Sequence, residues 1–242
     1  MREVVVLEHT PGAGASAFAP VLDATAAELP WRTIDVPAGQ PLPPVDELAG
    51  IVVMGGTMSA VDPRQHDWMP PELALLDAAV SHDLPVLGVC LGAQLLGQAL
   101  GGTVVCRQTP EVNYIRLHRT SAGRDDEVVG GFTDDAPALF IHEDEVAALP
   151  ADAAALLLGS DGVAAWRVGP AVAVQFHPEV TATQLADWQR SGLIDGLLAA
   201  AEVDAGPLLE RAHREADLAV AEGCDLLRRF LDGPVRRTAG RP

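Results

Sequence analysis

Short runs of β-branched residues alternate along this chain with longer stretches whose apolar residues recur at helical spacing. The runs predict buried strands at 4–7, 31–36, 51–54, 84–89, 154–158, 163–167 and 171–176. The stretches predict helices at 18–29, 70–81, 93–100, 184–202 and 207–231. Such an alternation is typical of an α/β fold in which a twisted, mostly parallel sheet carries helices on both faces.

The chain between 103 and 148 follows this pattern less clearly. Two short strands are predicted there, at 103–106 and 114–117, and an acidic turn at 125–127 interrupts the segment. The sequence therefore leaves the middle of the chain largely unassigned.

No linker rich in Pro, Gly or Ser separates two independent hydrophobic patterns, so a single domain is predicted. Residues 1–181 are expected to form the α/β domain. Residues 182–234 are expected to be a helical extension packed on it, because their apolar stripe needs burial. Residues 235–242 are expected to be a frayed tail.

The charge balance narrows the range of partners. The 242 residues include 16 Lys+Arg against 34 Asp+Glu, a formal net charge of −18. Binding of a nucleic acid would require a basic face, which this acidic composition disfavours. A membrane helix would require about 18 uninterrupted apolar residues, and the sequence has no such run. The three cysteines are too few for a disulfide framework and lack metal-ligand spacing. These features predict a soluble, cytoplasmic protein that binds no nucleic acid and no membrane, and no motif requires a metal or a cofactor.

The most informative segment is 85–94, Pro-Val-Leu-Gly-Val-Cys-Leu-Gly-Ala-Gln, which predicts a strand running directly into a helix with Cys90 at the junction. A sharp strand-to-helix turn strains its central residue, and Gly88 and Gly92 give the crossing chains room. The sulfur would project into solvent at the carboxyl edge of the sheet, where the helix N-terminus favours a thiolate. The pattern indicates a nucleophile; the alternative is a buried structural cysteine between two unrelated glycines.

A second strand, at 171–176, ends in His177-Pro178-Glu179. Pro178 keeps His177 extended, so the side chains of His177 and Glu179 can project toward the same side. A histidine can take the thiol proton and later give it to a leaving amine, while a carboxylate fixes the ring and stabilises its cation. A lone histidine is more often structural, but the pairing with a strand-end carboxylate and an elbow cysteine indicates a triad.

The motif Gly-Val-Cys-Leu-Gly-Ala-Gln around Cys90 is followed, 87 residues after the cysteine, by Gln-Phe-His-Pro-Glu-Val-Thr. Together these motifs resemble the class I (triad) glutamine amidotransferase family, and the Val-Thr ending resembles its GMP synthase-like members. The likeness extends over about residues 4–181. It implies a flavodoxin-like fold in which Cys90, His177 and Glu179 hydrolyse the side-chain amide of glutamine through a γ-glutamyl thioester and release ammonia.

A glycine pair at the end of the strand 51–54 resembles the family loop that supplies an oxyanion amide. The amides of Gly56 and Leu91 would then stabilise the tetrahedral oxyanion. On local sequence alone, a simple strand-end turn explains the pair equally well. The same resemblance assigns Gln94, in the Cys-x-Gly-x-Gln pattern, and Gly55 to glutamine binding.

The chain departs from the family in two places. Thr57 follows the glycine pair where the family often has proline, and Ile-His-Glu-Asp stands at 141–144 where the family often has Ser-His-Gly-Asp. His142 and Asp144 are predicted to line the substrate pocket, although a solvated acidic turn also explains the segment. Glu111 and Tyr114 are predicted to form another wall of the pocket.

The leading hypothesis is a glutamine amidohydrolase that is the amidotransferase subunit of a larger biosynthetic system. No Ser-Gly-Gly-x-Asp-Ser nucleotide loop and no Walker motif occurs in these 242 residues, so the ammonia is expected to reach a separate synthetase subunit. One alternative is a hydrolase of another γ-glutamyl amide or isopeptide that uses the same triad. A third hypothesis is a non-catalytic regulatory or interaction protein on the same fold, because a fold alone does not establish chemistry.

Overall fold

Strands that lie between residues 3 and 174 join in one central sheet. The structure, a computed structural model, describes residues 2–240. Within them the strands are β1 (Glu3–Glu8), β2 (Trp31–Asp35), β3 (Leu48–Val53), β4 (Val86–Val89), β5 (Thr103–Arg119), β6 (Ala136–Ala148), β7 (Ala154–Leu158), β8 (Val163–Val168) and β9 (Ala171–Val174). Their order across the sheet is β2-β1-β3-β4-β9-β8-β7-β5-β6.

The predicted α/β fold is confirmed, and its sheet is mixed rather than purely parallel. The pairings from β2 to β9 are parallel, and those from β9 to β6 are antiparallel. The antiparallel half arises because β7, β8 and β9 follow one another through tight turns. Gly159 N donates to Gly162 O over 2.9 Å in the first turn, and Gly169 has a φ of +50° in the second, a conformation that glycine adopts without strain.

The middle of the chain forms a long antiparallel pair. The two short strands predicted at 103–106 and 114–117 belong to one strand, β5, whose register against β6 shifts between Cys106 and Glu111. β6 was not predicted at all. Its first seven residues are all buried, while its last four are partly buried or exposed, so no period-2 alternation marks it as a strand.

Helices cover both faces of the sheet, as predicted. They are α1 (Ala19–Thr25), α2 (Met69–Ser81), α3 (Leu91–Ala99), α4 (Ser121–Asp125), α5 (Ala182–Ser191), α6 (Asp195–Ala200), α7 (Ala205–Phe230) and α8 (Arg236–Ala239). Alternate residues of β1 point to opposite faces. Val5 and Leu7 pack in the apolar cluster of α2 and α3, whereas Val4 and Val6 pack in the cluster of α1 and the end of α7. No helix within the described range is both long and apolar enough to cross a membrane.

The carboxyl-terminal region differs from the expectation in two ways. The helix predicted at 184–202 is interrupted at Gly192, which has a φ of +78° and ends α5 before α6 begins. The tail predicted to fray from 235 is helical as far as Ala239, because Val235 is fully buried against β3. A Cβ on Gly50 would lie 2.9 Å from Val235 Cγ2. Residues 241 and 242 of that prediction lie outside the described residues.

The long helix α7 also contacts the segment that carries the predicted triad. A Cβ on Gly223 would lie 2.2 Å from the carbonyl oxygen of Pro178, between His177 and Glu179. Since that oxygen belongs to the backbone, a larger side chain at Gly223 must displace one of the two segments.

Replacing Gly223 with alanine is therefore expected to lower the free energy of unfolding by about 1–3 kcal/mol through overpacking. Gly196→Ala is the matched control, because no atom of the described residues lies within 4 Å of its Cβ position. Alanine in α6 is expected to raise stability by about 0.5–1 kcal/mol. Urea denaturation measures both changes, and equal stabilities of the two variants would contradict the close approach at Gly223.

Candidate active site

The turn between β4 and α3 holds the predicted nucleophile. Cys90 has φ +51° and ψ −107°, a strained conformation for a non-glycine residue. Its amide donates to the carbonyl of Val174 in β9 over 2.9 Å. A Cβ on Gly88 would lie 2.7 Å from the carbonyl oxygen of Gly92, and one on Gly92 would lie 2.2 Å from that of Val53. Only glycine at both positions lets the strand and the helix cross so closely.

The thiol of Cys90 is more deeply buried than the sequence predicted. Cys90 is only 4% exposed, and its sulfur is 3.8 Å from the carbonyl oxygen of Ile141 in β6. The side chain therefore does not project into open solvent, but lines a cavity. The first-turn amides of α3 lie beside it, where a helix has unpaired N–H groups and favours negative charge.

The predicted base and its orienting carboxylate form a buried pair. His177 Nδ1 lies 2.8 Å from Glu179 Oε1. The backbone amide of His177 donates to the carbonyl of Leu139 over 2.7 Å, which ties this segment to β6. The ring of Trp188 meets the imidazole edge-on, with centroids 5.5 Å apart. Because a carboxylate only accepts, Glu179 holds Nδ1 protonated and leaves Nε2 for other chemistry.

The surroundings of His177 control its charge. Burial disfavours the imidazolium, but the nearby Cys90 sulfur and Glu179 carboxylate outweigh it and raise the pKa of His177 well above its usual 6.5. A group whose pKa is higher in the folded protein stabilises the fold below its unfolded pKa, here about 6.5. That stabilisation is lost as the pH rises through the folded value.

The first glycine of the pair, Gly55, lies close to both Cys90 and the imidazole of His177. A Cβ on Gly55 would lie 2.8 Å from His177 Cε1 and 3.6 Å from Cys90 Cβ. Gly56 lines the same cavity as Cys90. Within residues 2–240, neither the Gly56 amide nor the Leu91 amide is hydrogen-bonded to a protein group. Both N–H groups are therefore available for a ligand.

The cavity above Cys90 has a volume of about 220 Å³. It is lined by Gln94, His142 and Asp144, three residues that the sequence assigned to the substrate pocket. Gln94 Nε2 donates to the carbonyl of Asp144 over 2.7 Å, and His142 Nδ1 lies 2.8 Å from the same oxygen. Gln94 and His142 thus fix the backbone of β6 at Asp144.

His142 and Asp144 are buried within β6, at 5% and 3% exposure, so the alternative of a solvated turn is wrong for them. His142 Nε2 lies 2.9 Å from Glu111 Oε2. Asp144 Oδ2 accepts from Ser59 Oγ over 2.6 Å and from the amide of Ala60 over 3.0 Å. Its other oxygen, Oδ1, is buried without a hydrogen-bond partner in the described part of the chain.

Neither Glu111 nor Tyr114 is a wall of this cavity, which corrects the prediction; Glu111 instead contacts His142 from outside it. The ring of Tyr114 is 1% exposed and packs with Trp188 and Leu208 in the apolar cluster under the carboxyl-terminal helices. Burial, followed by the charge of Glu215, raises the pKa of its hydroxyl. The wall opposite β6 instead comes from Leu193, Gly196 and Leu197, which had not been predicted to line the pocket.

These missed residues had no local signal. Leu193 and Leu197 resemble any apolar residues of an amphipathic helix, and Ser59 stands in an ordinary loop. Across residues 2–240, no group of three or more His, Cys, Asp or Glu side chains is arranged to hold a metal ion.

The fold and the arrangement around Cys90 are those of an α/β protein with a cysteine at a strand-to-helix turn. The family model for "Glutamine amidotransferase class-I" matches residues 21–192. The chain therefore belongs to the class I glutamine amidotransferase family.

Individual relatives support the same family. The chain is 34% identical over 113 residues to a subunit of GMP synthase (glutamine-hydrolyzing) from Methanococcus maripaludis, covering 45% of this chain and 58% of that protein. It is 30% identical over 146 residues to the protein of the same name from Thermoplasma acidophilum, covering 58% and 68%. The match to the Methanococcus protein thus spans less than two thirds of its length. A glutamine amidotransferase structure from Methylobacillus flagellatus superposes with a TM-score of 0.84 at 26% identity, covering 96% of this chain and 95% of that one.

Replacing Cys90 with alanine is expected to lower the pKa of His177, because the sulfur is the largest of the groups that raise it. Titration of the His177 ring by NMR measures the shift. Cys106→Ala is the control, because Cys106 is an exposed thiol and does not contribute to the shift at His177. A titration of His177 that is the same in wild type and Cys90→Ala would contradict the coupling.

Proposed function

We propose that this chain hydrolyses the side-chain amide of glutamine and releases ammonia, with Cys90 as nucleophile. The observation that carries the proposal is that the elbow at Cys90 and the amide of Gly56, which is unpaired within the described residues, share one cavity. The buried His177–Glu179 pair lies close beside Cys90, across Gly55. Pockets for drug-sized ligands have volumes of roughly 300–1,000 Å³. A cavity of about 220 Å³ therefore suits a single amino acid.

The first half of the reaction forms a thioester. His177 accepts the proton of the Cys90 thiol, and the sulfur attacks the side-chain carbonyl carbon of glutamine. The carbonyl π-bond opens to an oxyanion, which the amides of Gly56 and Leu91 stabilise; each such donor is worth about 3 kcal/mol in other hydrolases. When the oxyanion collapses, the carbon–nitrogen bond breaks and the His177 imidazolium gives its proton to the leaving ammonia.

The second half regenerates the thiol. Water loses a proton to His177 and attacks the γ-glutamyl thioester. The carbon–sulfur bond then breaks to release glutamate, and the His177 imidazolium gives its proton to the Cys90 sulfur. Glu179 contributes by holding the ring in the tautomer that presents Nε2 and by stabilising its cation. The raised pKa of His177 supports this role, because it keeps a proton on the ring for the leaving group.

The cavity also offers a partner for the charged end of the substrate. Asp144 lines this cavity, and its buried Oδ1 has no hydrogen-bond partner among the described residues, so the carboxylate suits the α-ammonium group of glutamine. Gln94 supports the site by fixing the backbone at Asp144. His142 does so as well, and is itself held by Glu111.

The purified protein is expected to release ammonia from glutamine, and Cys90→Ala is expected to lower the rate by at least about 10⁴-fold, as for loss of a nucleophile in other triad enzymes. A coupled ammonia assay, together with mass spectrometry for a γ-glutamyl adduct on Cys90, tests both steps. Cys224→Ala, at a half-buried thiol outside the cavity, is the matched control. The proposal would be refuted if folded wild-type protein, with and without a synthetase subunit, showed no ammonia release and no adduct.

Asp144→Asn is expected to raise KM for glutamine about 10- to 100-fold with a smaller change in kcat, because a charge-assisted hydrogen bond contributes about 1.5–3 kcal/mol. The deamino analogue of glutamine lacks the α-ammonium group, so its KM should change little on the same substitution. Steady-state kinetics of both substrates measure the difference, and Asp152→Asn, at an exposed position, is the control. An equal rise in KM for both substrates would contradict the assignment of Asp144.

A second candidate substrate follows from the apolar wall of the cavity. Leu193 and Leu197 offer contacts that the carboxamide of glutamine does not use. A γ-glutamyl amide with an apolar group on its nitrogen would use them. A panel of N-substituted γ-glutamyl amides decides between the two: a higher kcat/KM than for glutamine favours the second candidate.

The destination of the ammonia is part of the proposal. The relatives whose names make them subunits of a GMP synthase support transfer to a separate synthetase subunit. Ammonia release is then expected to accelerate when such a subunit is added with its nucleotide substrates, and an unchanged rate would contradict that partner.

A further inference from the structure

A second buried histidine–carboxylate pair lies behind the predicted oxyanion loop. His9 follows β1 directly and Glu72 lies in the first turn of α2; they are 1% and 0% exposed. His9 Nε2 is 3.1 Å from both Oε1 and Oε2 of Glu72. Its other nitrogen, Nδ1, is 3.1 Å from the carbonyl oxygen of Met54. The pair has no role in the reaction steps described above.

The hydrogen-bond partners fix the protons on the ring. A carbonyl oxygen only accepts, so Nδ1 carries a hydrogen and donates it to Met54. On the other side of the ring, Nε2 faces both oxygens of the Glu72 carboxylate. Glu72 thus holds the ring in the orientation in which Nδ1 meets Met54, as a carboxylate does in other histidine pairs.

The residues after β1 hold the peptides on either side of the Gly55–Gly56 peptide. On one side, His9 binds the carbonyl of Met54. On the other, the hydroxyl of Thr10 accepts from the amide of Thr57 over 3.1 Å. A Cβ on Gly56 would lie 2.9 Å from His9 Cβ, so the His9 backbone also limits where the loop can move.

We infer that His9, oriented by Glu72, and Thr10 are positioning residues that aim the Gly56 amide into the cavity above Cys90. The inference rests on the proposed function, because the aimed amide matters only if an oxyanion forms there. Glycine has no side chain to restrict its backbone, so an amide between two glycines needs such external contacts to keep one direction. A preorganised donor stabilises charge without reorganising during the reaction.

The test uses two amide side chains of different length at His9. Asn places its nitrogen where Nδ1 stands and can still donate to Met54, whereas Gln places its nitrogen where Nε2 stands and leaves Met54 unpaired. For glutamine hydrolysis, His9→Gln is expected to lower kcat about 10- to 100-fold, less than the 10²–10³ that loss of a whole oxyanion donor costs. KM should stay within about twofold, because the contact acts in the transition state. His9→Asn should recover most of kcat.

A second pair keeps the test independent of how His9 variants fold. Thr10→Val removes the acceptor for the Thr57 amide at a half-buried position, and Thr10→Ser keeps it. Thr10→Val is expected to lower kcat about 3- to 10-fold, as for one lost hydrogen bond, and Thr10→Ser should not. His82→Gln, at an exposed histidine beyond the far end of α2, is the control and should match wild type. Equal kcat in wild type, His9→Gln and Thr10→Val, with all three folded, would overturn the inference.

A second readout separates the inference from the proposed function. The order parameter of the Gly56 amide, measured by ¹⁵N relaxation, is expected near the rigid value of about 0.85 in wild type and to fall toward 0.6 in His9→Gln. An ordered Gly56 amide in every variant would overturn the inference, whatever the enzyme does. Loss of order in His9→Gln together with an inactive wild type would instead refute the proposed function and retain the positioning role.

Discussion

Cys90 keeps its strained backbone, φ +51° and ψ −107°, only because the chain segments around it are packed too closely to relax. Such a conformation costs of order 1–3 kcal/mol, and favourable contacts in the surrounding structure must offset that cost. The amide of Cys90 is bonded to β9, and α3 crosses β3 at Gly92, where there is no room for a Cβ. The direction of the thiol is therefore a property of the whole sheet rather than of one loop.

The two halves of the sheet contribute different parts of the site. In the parallel half, β1, β3, β4 and β9 all end at the same edge, which brings together His9, Gly56, Cys90 and His177. The antiparallel half contributes β6, whose buried residues His142 and Asp144 form the polar wall of the cavity. The backbone bond from His177 to Leu139 joins the two halves at the site itself.

The sequence predicted the parallel half and the residues nearest the thiol because their signals are local. An all-apolar run marks each buried strand, and the glycines around Cys90 mark the crossing. β6 was missed because its buried and exposed parts follow no single period. Tyr114 was misassigned because nothing in the sequence shows which side of β5 the carboxyl-terminal helices cover. The buried pair of His9 and Glu72 joins residues 63 positions apart, and such a contact exists only after the sheet and α2 have packed.

The region that matches the family ends at residue 192, and the apolar wall of the cavity begins one residue later, at Leu193. The stretch that matches the family and the stretch that forms this apolar wall are therefore adjacent but separate along the chain. Leu193 and Leu197 are half-buried and belong to none of the elbow, the histidine–carboxylate pair and the glycine loop. Substitutions at these two positions would therefore alter the lining of the cavity without changing Cys90, His177 or Glu179.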